Sequence, residues 1–294
     1  MPPSPGTGSQ PGQAGFVSVL SLYSLSIRKI CLILHLMPHF TSHEPGSFCW
    51  VELATSDQQA AKAFYSALFG WVAVDLPIGP DEVYTTFQLE DRAAAAGYTM
   101  RPDEAAIAPP HWNLYVAVEN ADATAALATE LGGKVFCEPF NVADHGRMVT
   151  IADPTGAVFH AWQPMNHIGM GIKDQAGCFC WADLSTSDQQ AAMGFYHKLL
   201  GWNFLPGDDN YVHVRNGENF VGGIPPAEYS AARTPPHWLV YFQVDDCAVS
   251  TDQAKALGAK VLNGPFDLDR VGTITVLSDP QGAAFALFQG ALTT

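Results

Sequence analysis

Two carboxylates, Glu52 and Asp183, occupy one position of a phrase that the chain contains twice. Phe48-Cys49-Trp50-Val51-Glu52-Leu53-Ala54-Thr55-Ser56-Asp57-Gln58-Gln59 returns as Phe179-Cys180-Trp181-Ala182-Asp183-Leu184-Ser185-Thr186-Ser187-Asp188-Gln189-Gln190. In both copies the acid follows a tryptophan by two residues, so on an extended strand the two side chains project to one face. A carboxylate held against an indole away from water has a raised pKa and can serve as general acid or base. A bound ligand amine could equally need it. The plainer alternative is a carboxylate hydrogen-bonded by neighbouring strand groups. The first copy also holds His111 and His160, imidazoles that carry protons or bind metal. Trp50, Tyr84, Asn113, Tyr115 and Trp162, with Trp181, Tyr211 and Tyr241 in the second copy, are the ligand-binding candidates: aromatic walls with few polar groups suit a flat organic molecule.

The elements that must position these residues are legible from periodicity. Phe48 to Ala54 alternates as a strand, Ser56 or Asp57 caps a helix whose Ala60, Ala61, Phe64, Tyr65 and Leu68 share a face, and Gly70 stops it. Tyr84 to Leu89 and Ala93 to Met100 read as strands, with one more near Val72. The order repeats as a strand over 113–118, a helix over 122–131 and strands over 134–138, 147–152 and 157–162. Each copy is thus a pair of β-α-β-β-β modules. A Pro-Pro-His-Trp block and an Asp-Pro-x-Gly-Ala turn recur at Pro109 and Asp153 and again at Pro235 and Asp279. Trp71, Trp202, Phe64, Tyr65, Phe195 and Tyr196 read as packing residues.

Composition narrows the function. A formal charge of −15 over 294 residues leaves no basic stripe for nucleic acid or an anionic membrane surface, so the partner is expected to be a small molecule. The six cysteines lack zinc-ribbon spacing and read as reduced thiols of a cytoplasmic protein. Residues 1–47 read as an extension, disordered or not native, with Met37 as the natural start. Residues 48–163 and 179–289 are the two domains, and 164–178 is their linker.

The opening strand ending in Thr-Ser-Asp, the Phe-Tyr…Leu-Phe-Gly-Trp and Phe-Tyr…Leu-Leu-Gly-Trp helix ends, and the closing Asp-Pro-x-Gly-Ala turns resemble the vicinal oxygen chelate superfamily of glyoxalase I, extradiol dioxygenases and bleomycin resistance proteins. The tandem form is similar to a mycobacterial culture-filtrate antigen of glyoxalase-like type. The resemblance implies an α+β fold in which paired modules curl a mostly antiparallel eight-stranded sheet into a cup that holds the ligand. It also implies a divalent metal, but the matching positions carry Trp50, Gly97, Asn113 and His160 in the first copy, and Trp181, Gly222-Gly223, Leu239 and Ala286 in the second. Indole, leucine and alanine offer no donor lone pair. No cofactor of the usual type is therefore expected. An improvised metal site from Glu52, His111 and His160 stays open in the first domain only. The reading is a protein that binds a small, aromatic organic molecule in its cups. The alternative is a lyase, hydroxylase or dioxygenase-type enzyme that uses that improvised site or Glu52 or Asp183 as acid-base group. By resemblance, the fused copies pack with pseudo-twofold symmetry, as a monomer or a homodimer.

Overall fold

In the computed structural model, strand β1 (Phe48–Thr55) leads into helix α1 (Gln58–Phe69), and the local chemistry accounts for both ends of the helix. The Asp57 side chain accepts the Ala60 N–H, and Gly70 closes the helix at φ 72°, a left-handed conformation that suits glycine. The second copy repeats the pattern with α4 (Gln189–Leu200), capped by Asp188 and closed by Gly201. Residues 39–80, 82–207, 210–226, 234–268 and 271–291 are described, and they belong to one compact unit. The expectations for Met37 and the residues before it lie outside the described residues.

The first domain continues with β2 (Val72–Pro77), β3 (Val83–Leu89), β4 (Arg92–Thr99), the single-turn α2 (Pro102–Ala105), β5 (His111–Ala117), α3 (Ala121–Glu130), β6 (Lys134–Val135), β7 (Phe140–Val142), β8 (Gly146–Ala152) and β9 (Val158–Pro164). The second contains β10 (Phe179–Ser185), α4, β11 (Asn203–Pro206), β12 (Val212–Asn216), β13 (Asn219–Ile224), β14 (His237–Gln243), α5 (Cys247–Ala256), β15 (Lys260–Leu268), β16 (Gly272–Ser278) and β17 (Ala284–Gly290). The sheet orders are β2-β3-β4-β1-β5-β9-β8-β6, with β7 beside β8, and β11-β12-β13-β10-β14-β17-β16-β15. Both are the paired-module cup implied by the sequence. Among the described residues only β1–β4, β5–β9 and their counterparts β10–β13 and β14–β17 pair in parallel. The strand expected over 134–138 ends at Val135, and pairing with β8 resumes at Phe140.

Alternation divides each sheet into a core face and a cup face. On β1 the core face carries Cys49, Val51 and Leu53, and the cup face carries Trp50 and Glu52. The core is shared between domains. Phe69 of α1 lies 5.0 Å from Phe242 of β14, and Phe159 of β9 lies 5.5 Å from Tyr196 of α4, ring centre to ring centre. At about 1.5–3 kcal/mol per large apolar side chain buried, these rings are a main source of cohesion between the copies.

Polar ties reinforce the contact. Trp112 Nε1 donates to the Tyr65 hydroxyl at 3.1 Å, and Tyr65 donates at 3.0 Å to Asp279 in the closing turn of the other domain. Trp238 donates to Tyr196 in the reciprocal arrangement, and Tyr196 faces Asp153. There the closure is looser, because Asp153 Oδ2 is buried without a well-formed hydrogen bond. Trp71 and Trp202, expected as packing residues, also donate at 2.7 Å to Gly177 O and Gly46 O. Residues 39–47, read as part of a disordered extension, are instead folded in. Phe40 N donates to Gly171 O, Gly46 N to Ala117 O, and Asn216 Nδ2 to Pro45 O. Their short-range composition gave no hint of these long-range partners.

Candidate functional site

The floor of the first cup is built around Glu52. Strand register sets it beside Ala96 on β4 and Asn113 on β5. The Tyr115 hydroxyl donates to Glu52 Oε2 at 2.5 Å. The Tyr84 hydroxyl, which accepts the Trp50 indole N–H at 3.1 Å, turns toward the same carboxylate. Glu52 is 8% exposed. Burial pushes its carboxyl above the ordinary range, and the hydrogen bonds from Tyr115 and Tyr84 oppose that push in part.

Around it lies a second polar group. Asn113 Oδ1 is within 3.1 Å of His111 Nε2 and 3.0 Å of His160 Nε2. The other His160 nitrogen meets the Thr150 hydroxyl at 2.9 Å, and its ring stacks on Tyr115 at 4.5 Å. Burial, with His111 close by, lowers His160 to about 3, so it is a neutral imidazole at physiological pH. On the other side of Asn113, Tyr98 donates at 2.5 Å to Glu104 of α2.

Above this floor opens a cavity of about 810 Å³, lined by Glu52, Tyr84, Tyr98, Tyr115, Met148 and the rim residues Ile78, Glu82, Arg101 and Glu104. Val74 and Leu76 of β2 pair with Thr86 and Tyr84, and through them share the face of Glu52. These apolar side chains are 44% and 50% exposed, on the wall of a cup rather than on an outer surface. Trp50 and Trp162 lie farther along the floor, where the linker seats His167 4.8 Å from Trp50. Trp162 Nε1 donates to His167 O at 2.9 Å, and burial holds the His167 imidazole down to about 4.

The second cup keeps the carboxylate and its donors and loses the rest. Asp183 Oδ1 accepts Tyr211 at 2.5 Å and Trp181 Nε1 at 3.0 Å, and Oδ2 accepts Tyr241 at 2.7 Å. Burial raises the Asp183 carboxyl against these hydrogen bonds. Gly223 makes this geometry possible, because a Cβ there would overlap the Tyr211 hydroxyl and ring. Leu239, Ala286 and Val276 stand where the first cup has Asn113, His160 and Thr150.

The improvised metal set does not assemble. His111 and His160 are drawn to Asn113 while Glu52 is taken up by Tyr115 and Tyr84. Among the described residues no group of three or more His, Cys, Asp or Glu side chains is placed to hold a metal ion. At the positions implied by the family, Trp50 has already given its single N–H to Tyr84, and both His160 nitrogens have partners. These donors do not fit a divalent ion. The thiols of Cys178, just before β10, and Cys180, on it, are pushed up by burial, Cys178 to about 12, which suits inert core thiols better than redox centres.

Tyr98, Glu104, Thr150 and His167 were not singled out in the sequence. Tyr98 was within reach of it, since it lies on the strand expected over 93–100. Glu104 and His167 come from a single-turn helix and from the linker, whose local patterns say nothing about a cup.

The fold and these two cups define a tandem pair of glyoxalase-type domains. Residues 47–161 match the Glyoxalase/Bleomycin resistance protein/Dioxygenase superfamily, and residues 181–288 match a glyoxalase-like domain. The chain is 38% identical over 260 residues to CFP32 of Mycobacterium tuberculosis, provisionally named a glyoxylase, covering 87% of this chain and 99% of that one. It is 32% identical over 265 residues to the anthracycline biosynthesis protein DnrV of Streptomyces peucetius, covering 85% and 95%. The chain belongs to this vicinal oxygen chelate superfamily. Among solved structures it is similar to a Mn(II)-bound glyoxalase from Novosphingobium aromaticivorans, with TM-score 0.60, 18% identity and coverage of 83% and 82%. It is also similar to the 2,3-dioxygenase LapB from Pseudomonas sp. KL28, with TM-score 0.57, 14% identity and coverage of 83% and 92%. At these identities the two structures speak for the fold alone.

Proposed function

We propose that this protein binds a small, aromatic organic molecule in its cups, without a metal at the usual family positions. The observation that carries the reading is the first cup itself. A cavity of about 810 Å³ has Tyr84, Tyr98 and Tyr115 on its walls, exposed apolar side chains of β2 on the same face, and one buried carboxylate at its floor. Pockets for drug-sized ligands have this size. Similarity to a protein of anthracycline biosynthesis supports an aromatic ligand. The protein acts in the cytoplasm, as a monomer whose two domains stand in for two subunits or as a homodimer, and its partner is a small molecule rather than nucleic acid or membrane. Among the described residues no helix is long and apolar enough to cross a bilayer.

A second reading, acid-base catalysis on the bound molecule, is favoured by Glu52. A buried carboxyl whose proton is held up by burial, with a phenol donating to it at 2.5 Å, can give or take a proton from a ligand in the cup. Asp183 is the corresponding group of the second cup.

The test is a thermal-shift screen of aromatic phenols, quinones and amines on the full chain, repeated with Trp50→Leu and Trp181→Leu. A ligand that raises Tm in the parent and loses its effect when one cup is altered supports the reading. If no aromatic compound shifts Tm or perturbs tryptophan emission, the reading is wrong.

A further inference from the structure

Hydrogen-bond accounting at the cup floors leads to the charge of the ligand, an inference that rests on the ligand-binding reading above. In the first cup the phenolic proton of Tyr115 goes to Glu52, and that of Tyr98 goes to Glu104. Tyr84 turns to Glu52 and receives the only N–H of Trp50. The two basic side chains that line the cavity are already paired, Lys62 with Asp75 at 2.8 Å and Arg101 with Glu82 at 2.9 Å. What the aromatic floor offers an incoming molecule is therefore oxygen lone pairs and a carboxyl that a neighbouring cation would hold ionised, with no uncommitted phenol or indole donor.

The second cup supplies the independent observation. Its floor has exchanged Asn113, His160 and Thr150 for Leu239, Ala286 and Val276, yet it keeps the acid, the two tyrosines and the indole. Here all three donors point at the carboxylate, the indole as well as both phenols. Asp183, like Glu52, is more than nine-tenths buried. A carboxylate removed from water is costly unless a positive partner completes it. Aromatic rings such as those around each acid can also attract a cation through their electron-rich faces.

We propose that each cup receives an organic cation, an apolar or aromatic body carrying a protonated amine, with the ammonium on Glu52 in the first cup and on Asp183 in the second. Neutral donors fit the same lone pairs less well, and anions are repelled. The chain's formal charge of −15 favours the approach of cations.

The experiment is isothermal titration calorimetry of the full chain with three matched probes, 2-naphthylmethylammonium, 2-naphthylmethanol and 2-naphthoate, at one ionic strength. The ammonium is expected to bind about tenfold or more tighter than the alcohol, the increment of one charge-assisted hydrogen bond, and naphthoate weakest. Two equivalents are expected to bind, falling to one in Glu52→Gln and to the other one in Asp183→Asn. In each variant the retained cup reports that the protein is folded. If the alcohol binds as tightly as the ammonium, or either variant leaves stoichiometry and preference unchanged, the inference fails while the ligand-binding reading stands. If none of the three probes binds at millimolar concentration, both fail.

Discussion

Glu52→Gln converts the buried carboxyl into a group that does not titrate, and its consequence for stability can be worked out with its sign. Burial raises the folded-state pKa of Glu52 above the ordinary value of 4.5, so between those two values the folded chain binds a proton that the unfolded chain has lost. Stability from this group is fully present below about pH 4.5 and is lost as pH rises through the folded-state pKa, with a slope that approaches 1.4 kcal/mol per pH unit inside that window. The tyrosines facing Glu52, Tyr115, Tyr84 and Tyr98, are held above the ordinary phenol range by burial and keep their protons over this interval. Asp183 and Asp279 are shifted in the same direction, but they are present in both proteins and cancel in the difference. The glutamine keeps an acceptor for Tyr115. Urea unfolding of both proteins, followed at intervals from pH 4.5 to pH 8, should therefore show the parent losing stability relative to Glu52→Gln as pH rises. A difference that stays constant, or that grows in the parent's favour, would refute the buried, proton-holding carboxyl.

Three further outcomes follow from named contacts. Tyr65→Phe leaves Trp112 Nε1 and one Asp279 oxygen buried without this partner and should cost about 2–6 kcal/mol, at 1–3 kcal/mol for each group. Tyr196→Phe should cost less, because Asp153 Oδ2 already lacks a well-formed bond; equal losses in denaturant unfolding would contradict that asymmetry. Gly223→Ala should push Tyr211 off Asp183 and abolish ligand binding in the second cup while sparing the first, as read by titration stoichiometry. His160→Ala should leave the metal content of the purified protein unchanged after incubation with Zn, Fe, Ni or Mn, because His160 is held by Asn113 and Thr150. A stoichiometric ion lost with His160, detected by mass spectrometry, would overturn the account of the first cup.

Local rules read most of the framework correctly, because the decisive signals are themselves local. Asp57 caps and Gly70 terminates α1 within one repeat phrase, and alternation through Trp50 and Glu52 assigns the cup face before any partner strand is known. The inter-domain clasp was less visible. Tyr65 was legible as a packing residue, but its hydroxyl reaches Asp279 in the other domain, a distance in sequence that no periodicity spans. The failed metal set has the same origin. Strand parity brings Glu52, Asn113, His111 and His160 to one floor, but it does not say which side chain takes which partner. Asn113 is short enough to sit between the two imidazoles, and Tyr115 is long enough to reach the acid. Residues 39–47 carry no strand or helix pattern, and their fixed place depends on Gly171, Met170, Trp202 and Asn216, which lie more than a hundred residues away.

The central claim, that the cups hold the ligand, is tested most directly by following the seven tryptophan indole N–H signals in a two-dimensional nitrogen–proton NMR spectrum while an aromatic amine is added. Trp50, Trp162 and Trp181 lie on the cup faces of their sheets, Trp112 and Trp238 lie on the opposite, core faces, and Trp71 and Trp202 are buried in the shared core. The account predicts that the first three signals move with saturable dependence on ligand and the other four stay in place. Movement confined to the core indoles, or none at all, would contradict it.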